Sequence, residues 1–132
     1  MTNKQHKVAI IGCGRLGQYY AEAYSTYPDT EIVAIAEHNP ERREQAGKQF
    51  NVKNIYSGAQ ELLDDIVPDI AAIVTPSKHY KDAVIACANA GVKAISTDKP
   101  IAAKLSDVDE MIATCNSTGS ILAGGILQRA MN

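Results

Sequence analysis

The stretch Val8-Ala-Ile-Ile-Gly12-Cys-Gly14-Arg-Leu-Gly17 decides the fold, because an apolar strand runs directly into three glycines spaced G-x-G-x-x-G. In such a turn the first glycine reverses the chain from strand to helix, and the second lets backbone N–H groups approach a pyrophosphate. The third lets the helix pack on the strand. We therefore predict a dinucleotide site with its phosphates at a helix N-terminus. The residues expected to contact the cofactor here are Gly12, Gly14, Arg15, Leu16 and Gly17.

A second apolar strand ends at Glu37 and His38, about 20 residues beyond the last glycine. A carboxylate at that position can accept hydrogen bonds from the adenosine ribose hydroxyls. The same carboxylate would repel the 2′-phosphate of NADP. We therefore predict NAD as the preferred cofactor and NADP as the alternative, with Arg42 and Arg43 reducing the repulsion.

The composition is typical of one globular domain. The chain has 132 residues, of which 45% are hydrophobic, and its formal net charge is −2. Because the longest basic run is Arg42-Arg43, we expect no nucleic-acid partner and no membrane-binding patch. The apolar runs are far shorter than the about 20 residues of a membrane span, and no signal peptide is visible, which predicts a cytoplasmic protein. Three cysteines without a C-x-x-C pair favour neither a disulfide framework nor a metal site.

Short apolar runs alternate with helical periodicity along the whole chain, which is typical of the α/β class with a doubly wound parallel sheet. Strands are predicted at residues 7–11, 32–36, 52–56, 70–74, 92–97 and 121–125. The helices between them are predicted from helical spacing and caps, with Asn39, Ser57 and Ser106 as N-terminal caps and Gly91 as a C-terminal stop.

Side-chain spacing also predicts which helix faces are buried. The first helix carries Leu16, Tyr20, Ala23 and Tyr24 on one stripe. Cys87 and Cys115 lie on apolar stripes of later helices, where we expect inert core thiols. Cys13 lies at a helix N-terminus, the one setting here that could lower a thiol pKa, although a small residue tolerated in the turn is the simpler interpretation.

Ligands of open α/β sheets lie outside the carboxyl ends of the strands, and this rule selects further candidates. They are Thr75, Pro76 and His79 after the fourth strand, and Asp98 and Lys99 after the fifth. Lys99, held before a proline, could donate to a substrate oxygen or a nicotinamide ribose hydroxyl. Without further evidence, a lysine at a strand end is more often a solvated side chain than a donor to a substrate or cofactor. His38 and His79 also lie near these strand ends, although lone histidines at helix starts are usually surface residues.

Four segments carry a more specific pattern: residues 8–17, Ala36-Glu37-His-Asn-Pro-Glu-Arg42, Ala72-Ile-Val-Thr-Pro76, and Ala90-Gly-Val-Lys followed by Thr97-Asp-Lys-Pro100. In order and spacing they resemble the N-terminal half of the glucose-fructose oxidoreductase / inositol dehydrogenase family (Gfo/Idh/MocA). The resemblance implies a Rossmann domain of an NAD(P)-dependent oxidoreductase acting on a sugar, polyol or related carbonyl or carbinol substrate. It also implies that Lys99 is a catalytic residue near the nicotinamide and the reacting carbinol.

The sequence departs from the family pattern in two places and in length. The family has Glu-Lys-Pro after the fifth strand, where this chain has Asp98-Lys99-Pro100. Spacing to Gly91 puts Tyr80, not His79, at the family's histidine position, and it leaves open which residue takes that role. Family members also carry a second domain that holds the substrate and a catalytic histidine. We therefore expect residues 1–132 to be a fragment, a single Rossmann domain that is inactive alone.

Two other functions fit the glycine motif. A nucleotide-sensing or regulatory module would bind the cofactor without turnover; Lys99 favours the enzyme. A methyltransferase shares the glycine turn and the acid after the second strand, but Gly17 and the Asp-Lys-Pro segment weigh against it. The apolar residues 121–127, expected to face the second domain, predict self-association into a homo-oligomer.

Overall fold

The computed structural model describes residues 5–76, 79–98 and 105–124. The strands are β1 (His6–Ile11), β2 (Thr30–Ala36), β3 (Ile55–Tyr56), β4 (Ile70–Ile73), β5 (Ala94–Thr97) and β6 (Ile121–Gly124). The helices are α1 (Arg15–Thr26), α2 (Pro40–Gln49), α3 (Ala59–Asp65), α4 (Tyr80–Ala90) and α5 (Leu105–Thr118). None of these helices is long and apolar enough to cross a membrane.

All six strands are parallel and lie in the order β3-β2-β1-β4-β5-β6. The chain therefore winds outward from β1 in one direction, returns to the middle, and winds outward in the other direction from β4. The strand order reverses between β1 and β4, and ligands of doubly wound sheets bind outside the strand ends at this switch point. The prediction of a doubly wound parallel α/β sheet is confirmed.

Both faces of the sheet are buried, as a parallel sheet requires. Successive residues of β1 point to opposite faces: Ala9 and Ile11 belong to one core cluster, and Val8 and Ile10 to the other. The first cluster is completed by side chains of α3, α4 and α5, and the second by Ala21 of α1 and Ala46 of α2. This arrangement holds the carboxyl ends of the central strands in a fixed register.

Three strands are shorter than predicted at one end. Residues 52–54 do not join β3, because the Val52 N–H bonds to the Gly47 carbonyl 2.8 Å away and closes the end of α2. Likewise β5 begins at Ala94, because the Val92 N–H bonds to the Cys87 carbonyl at 3.0 Å and closes α4. The third is β4, which ends at Ile73 rather than Val74.

Two of the four predicted caps are found. The Asn39 side chain accepts a hydrogen bond from the Arg42 N–H at 3.0 Å, and Gly91 ends α4 with a left-handed φ of 102°. The Ser57 prediction is wrong, because Gly58 is the N-cap of α3 and the Ser57 hydroxyl instead bonds the Glu61 side chain. Ser106 is also not a cap, since α5 begins at Leu105.

The buried face of α1 differs from the predicted stripe. Gly17 and Ala21 are its buried residues, while Leu16 is 43% exposed and Ala23 is exposed. The close approach of Gly17 to the strand-to-helix turn rotates this face of the helix toward the sheet, so that Leu16 is left at the surface.

Candidate nucleotide-binding site

The turn between β1 and α1 depends on two glycines for packing. Gly12 has a φ of +100°, and a Cβ there would lie 2.6 Å from the Val74 carbonyl oxygen. A Cβ on Gly17 would overlap the Gly12 carbonyl oxygen. The backbones of β1, α1 and the end of β4 therefore approach one another at distances that only glycine permits.

Gly14 differs from the other two glycines. Its φ is −71°, which any residue can adopt, and a Cβ there would meet no atom closer than the Arg42 Nη1 at 3.8 Å. Gly14 is also the N-cap of α1, and no side chain caps that helix. The first-turn N–H groups of a helix lack intrahelical partners, so this N-terminus offers donors and positive potential beside an open space. Neither the backbone conformation nor a steric contact requires a glycine here, and the space that it leaves suits an anion close to the backbone.

The Glu37 side chain lies beside this turn and is only 5% exposed. Its Oε1 accepts from the Cys13 N–H at 2.7 Å, and its Oε2 accepts from the Asn39 N–H at 2.9 Å. The Arg42 Nη2 lies 3.7 Å from Oε2, and the His38 Nδ1 lies 3.4 Å from the same oxygen. These contacts offset the cost of burying a carboxylate. They also join the glycine turn to the turn between β2 and α2.

A cavity of about 990 Å³ opens at the carboxyl ends of the strands and extends from Glu37 to Asp98. It brings together every predicted cofactor residue that the structure describes: Gly12, Gly14, Arg15, Leu16, Gly17, Glu37, His38, Thr75, Pro76, His79 and Asp98. Lys99, predicted as both a catalytic and a cofactor residue, lies outside the described residues.

The cavity also has walls that sequence reasoning did not select. They comprise Ser57, Gly58, Ala59 and Gln60 at the start of α3, and Asp82, Ala83 and Ala86 on α4. The signal for the α3 group was available, since these residues follow β3 just as the glycine turn follows β1. The α4 group gave no such signal, because helical spacing indicates core packing and not the edge of a cavity.

His79 and Tyr80, the two candidates for the family's histidine position, lie in different environments. His79 is exposed, and its N–H donates to the Pro76 carbonyl at 2.9 Å. Tyr80 is 3% exposed and packs in the core beneath the cavity. Burial, followed by the negative charge of Asp98, raises the pKa of Tyr80 above its ordinary value. The buried position beside Asp98 therefore belongs to Tyr80.

The three cysteines described are buried and unpaired. Burial, with a further contribution from the Glu37 charge, raises the pKa of Cys13 to about 12. The helix N-terminus thus does not produce a reactive thiolate at this position, and the interpretation of Cys13 as a small residue in the turn is the one that fits. Burial also raises the pKa of Cys87 to about 12.

Comparison with known proteins gives a consistent result. Residues 6–125 match the GFO_IDH_MocA family, described as "Oxidoreductase family, NAD-binding Rossmann fold". D-apiose dehydrogenase of Paraburkholderia graminis is 34% identical over 118 residues, which are 89% of this chain and 31% of that enzyme. Myo-inositol 2-dehydrogenase of Thermotoga maritima is 29% identical over 123 residues, 93% of this chain and 36% of that enzyme. The chain thus spans about a third of the length of these relatives.

Solved structures agree on the fold. Apo scyllo-inositol dehydrogenase from Lactobacillus casei has a TM-score of 0.90 at 23% identity, covering 98% of this chain and 39% of that one. An oxidoreductase from Agrobacterium radiobacter, in complex with NAD+, L-tartaric acid and magnesium, has a TM-score of 0.87 at 29% identity, covering 92% of this chain and 35% of that one. The family match over residues 6–125, together with the glycine turn and the switch-point cavity, shows that this chain belongs to the Gfo/Idh/MocA oxidoreductase family and forms its NAD-binding Rossmann domain.

Proposed function

We propose that this chain binds NAD in the cavity at the switch point, as part of a dehydrogenase that acts on a sugar, polyol or related carbonyl or carbinol substrate. The observation that carries the proposal is Gly14, a glycine that the fold does not require at the uncapped N-terminus of α1. An absent Cβ at that place leaves room for a pyrophosphate against the backbone.

The rest of the cavity fits the two halves of a dinucleotide. The buried Glu37 carboxylate stands at the end of β2, where adenosine ribose hydroxyls can donate to it. The nicotinamide half then extends across the switch point toward β4 and β5, where Thr75, Pro76 and Asp98 line the cavity. The remaining site residues are proposed to shape this channel: Gly12, Arg15, Leu16, Gly17, His38 and His79.

When bound, the nicotinamide supplies the hydride chemistry, and the protein supplies orientation and electrostatics. We assign Lys99 to the polarisation of the substrate oxygen, on the basis of its place in the Asp98-Lys99-Pro100 segment. The names of the relatives, which include D-apiose and inositol dehydrogenases, support a sugar or polyol as substrate. Because the chain spans 31% and 36% of two such relatives, we propose that the substrate wall and the main proton donor belong to residues beyond these 132.

Titration calorimetry with NAD+ tests this function on the chain itself. We expect one NAD+ bound per chain, with most of the affinity retained by ADP-ribose, because the glycine turn and Glu37 contact the adenosine and pyrophosphate parts. Absence of binding by both ligands, from a chain that melts cooperatively, would contradict the proposal.

A further inference from the structure

At the end of the cavity opposite Glu37, the Asp98 carboxylate is held by an aromatic side chain from another element. Asp98 directly follows β5 and is half-buried. The Tyr20 hydroxyl, from α1, donates to the Asp98 Oδ1 at 3.3 Å. Tyr80 of α4 is buried and lines the same cavity, so phenols from two helices border this carboxylate. The Tyr20 hydrogen bond therefore restrains the orientation of this half-buried carboxylate.

Both phenols stay protonated over the neutral range, and the Tyr20 hydroxyl remains the donor to Asp98. Burial, then the charge of Asp98, raises the pKa of Tyr20, as it does that of Tyr80. A protonated phenol can donate to a carboxylate and does not repel it. The Tyr20 contact thus keeps the acidic group oriented without adding a second negative charge.

A fixed carboxylate at this end of the cavity acts differently on the two redox states of the cofactor. A dinucleotide bound across the switch point with its adenosine at Glu37 would have its nicotinamide toward β4, β5 and Asp98. The oxidised nicotinamide ring carries a positive charge, whereas the reduced ring is neutral. A carboxylate therefore attracts the oxidised ring by a Coulomb interaction that the reduced ring lacks.

We propose that Asp98, held in place by Tyr20, is a specificity-determining residue that makes this site bind oxidised nicotinamide more tightly than reduced nicotinamide. The inference rests on the proposed function, because it presupposes that the cavity binds a nicotinamide dinucleotide. Because the neutral reduced ring lacks this attraction, the reduced cofactor would leave the site more readily after hydride transfer.

The test measures dissociation constants for NAD+, NADH and ADP-ribose with four proteins: the unaltered chain, Asp98→Asn, Tyr20→Phe and Asp109→Asn. Asp98→Asn should reduce the preference for NAD+ over NADH by about fivefold, the size expected for one partly exposed charge pair. Affinity for ADP-ribose, which has no nicotinamide, should stay constant. Tyr20→Phe should cause a smaller reduction, because the charge remains but loses its fixed orientation. Asp109→Asn removes an exposed carboxylate of α5 and should leave the preference unchanged.

The outcomes separate this inference from the proposed function. If the unaltered chain fails to bind ADP-ribose, the proposed function fails. If ADP-ribose binds and Asp98→Asn leaves the NAD+ preference unchanged, the role of Asp98 is overturned. An equal loss of preference in Asp109→Asn would also overturn it, because net charge would then be the cause. Should Asp98→Asn melt at a much lower temperature, Tyr20→Phe decides: an unchanged preference contradicts the proposal.

Discussion

At the scale of single residues, the Glu37 carboxylate joins two turns of the chain and is also the proposed acceptor for the ribose hydroxyls. Each of its oxygens already accepts a backbone N–H, from Cys13 and from Asn39. A carboxylate oxygen has a second lone pair, so both oxygens can still accept from ribose hydroxyls. The internal bonds therefore fix the carboxylate, which under the proposed function would accept from the ribose and would repel a 2′-phosphate.

We predict that NAD binds more tightly than NADP by at least about tenfold, because a 2′-phosphate would face the Glu37 carboxylate at a cost of several kcal/mol. The Arg42 guanidinium, 3.7 Å from that carboxylate, reduces this cost. Arg42→Ala should therefore weaken NADP binding further while changing NAD binding less. Calorimetry with both cofactors measures this, and equal or tighter binding of NADP would refute the role of Glu37.

The raised pKa of Cys13 gives a second prediction. Burial keeps this thiol protonated up to about pH 12, compared with an ordinary value of 9.0. We expect thiol reagents at pH 8 to modify Cys13 only as fast as the chain opens, because the thiolate is the reactive form. Labelling followed by mass spectrometry, with urea-unfolded chain as the reference, checks it. Rapid modification in the folded chain would show an accessible thiolate.

The glycine motif illustrates how far residue-level reasoning extends. The spacing of its three glycines predicted the strand-to-helix turn. It could not show that Gly12 and Gly17 are needed for packing while Gly14 is not. Nor could spacing show that Tyr80 and Asp98, both departures from the family pattern, lie together at one end of the cavity. Such proximity arises from strand order and helix rotation, which a linear pattern does not contain.

At the scale of elements, α2 is held mainly by its N-terminus. Its buried residues are only Ala46 and Gly47, so little apolar area stabilises it. The Asn39 side chain caps it by accepting from the Arg42 N–H, and Pro40 occupies its first turn. The same cap positions Arg42 over the glycine turn, which connects the stability of the helix to the shape of the cavity.

We predict that Asn39→Ala lowers the free energy of unfolding by about 1 kcal/mol, the usual loss for a helix N-cap. Gln45→Ala, an exposed substitution within the same helix, serves as the control and should change stability little. Urea denaturation of both variants provides the measurement. Equal stability of the two variants would show that the cap does not hold α2.

The order and type of all the elements could be predicted from the sequence, because strand and helix periodicities alternate clearly. The first and last residues of the helices and strands were harder to predict. Val52 and Val92 have the composition of strand residues, yet their N–H groups close the preceding helices. Ser57 and Ser106 match cap patterns, but Gly58 is the N-cap of α3 and α5 already begins at Leu105. Local sequence signals are therefore overridden where a backbone N–H closes the preceding helix or where the helix begins at another residue.

At the scale of the whole molecule, the strand order gathers residues from five strand ends into one cavity. We predict that the chain binds the dinucleotide but does not turn over substrates. Positioning of both reactants contributes about 7–11 kcal/mol in well-oriented systems, and one domain positions only the cofactor.

Incubation with NAD+ and a panel of polyols and sugars, followed by absorbance of reduced nicotinamide, tests this prediction. The molecular mass of the same sample, measured by light scattering, checks the predicted homo-oligomer. Ile121 in β6 is 70% exposed and is a candidate contact between copies of the chain. Turnover above background that disappears in Lys99→Ala would show that these 132 residues form a complete enzyme.

The central claim is that the space above Gly14 is kept for a pyrophosphate, and the most direct measurement compares binding with folding in Gly14→Val. The backbone there has an ordinary φ, and a Cβ would have 3.8 Å to the nearest atom, so the melting temperature should change little. Affinity for NAD+ should fall below detection, because the side chain would occupy the phosphate position. Gly17→Ala, whose Cβ would overlap the Gly12 carbonyl, should instead lower the melting temperature strongly. Unchanged NAD+ binding by Gly14→Val would contradict the account, because it would show that the three glycines only form the strand-to-helix turn.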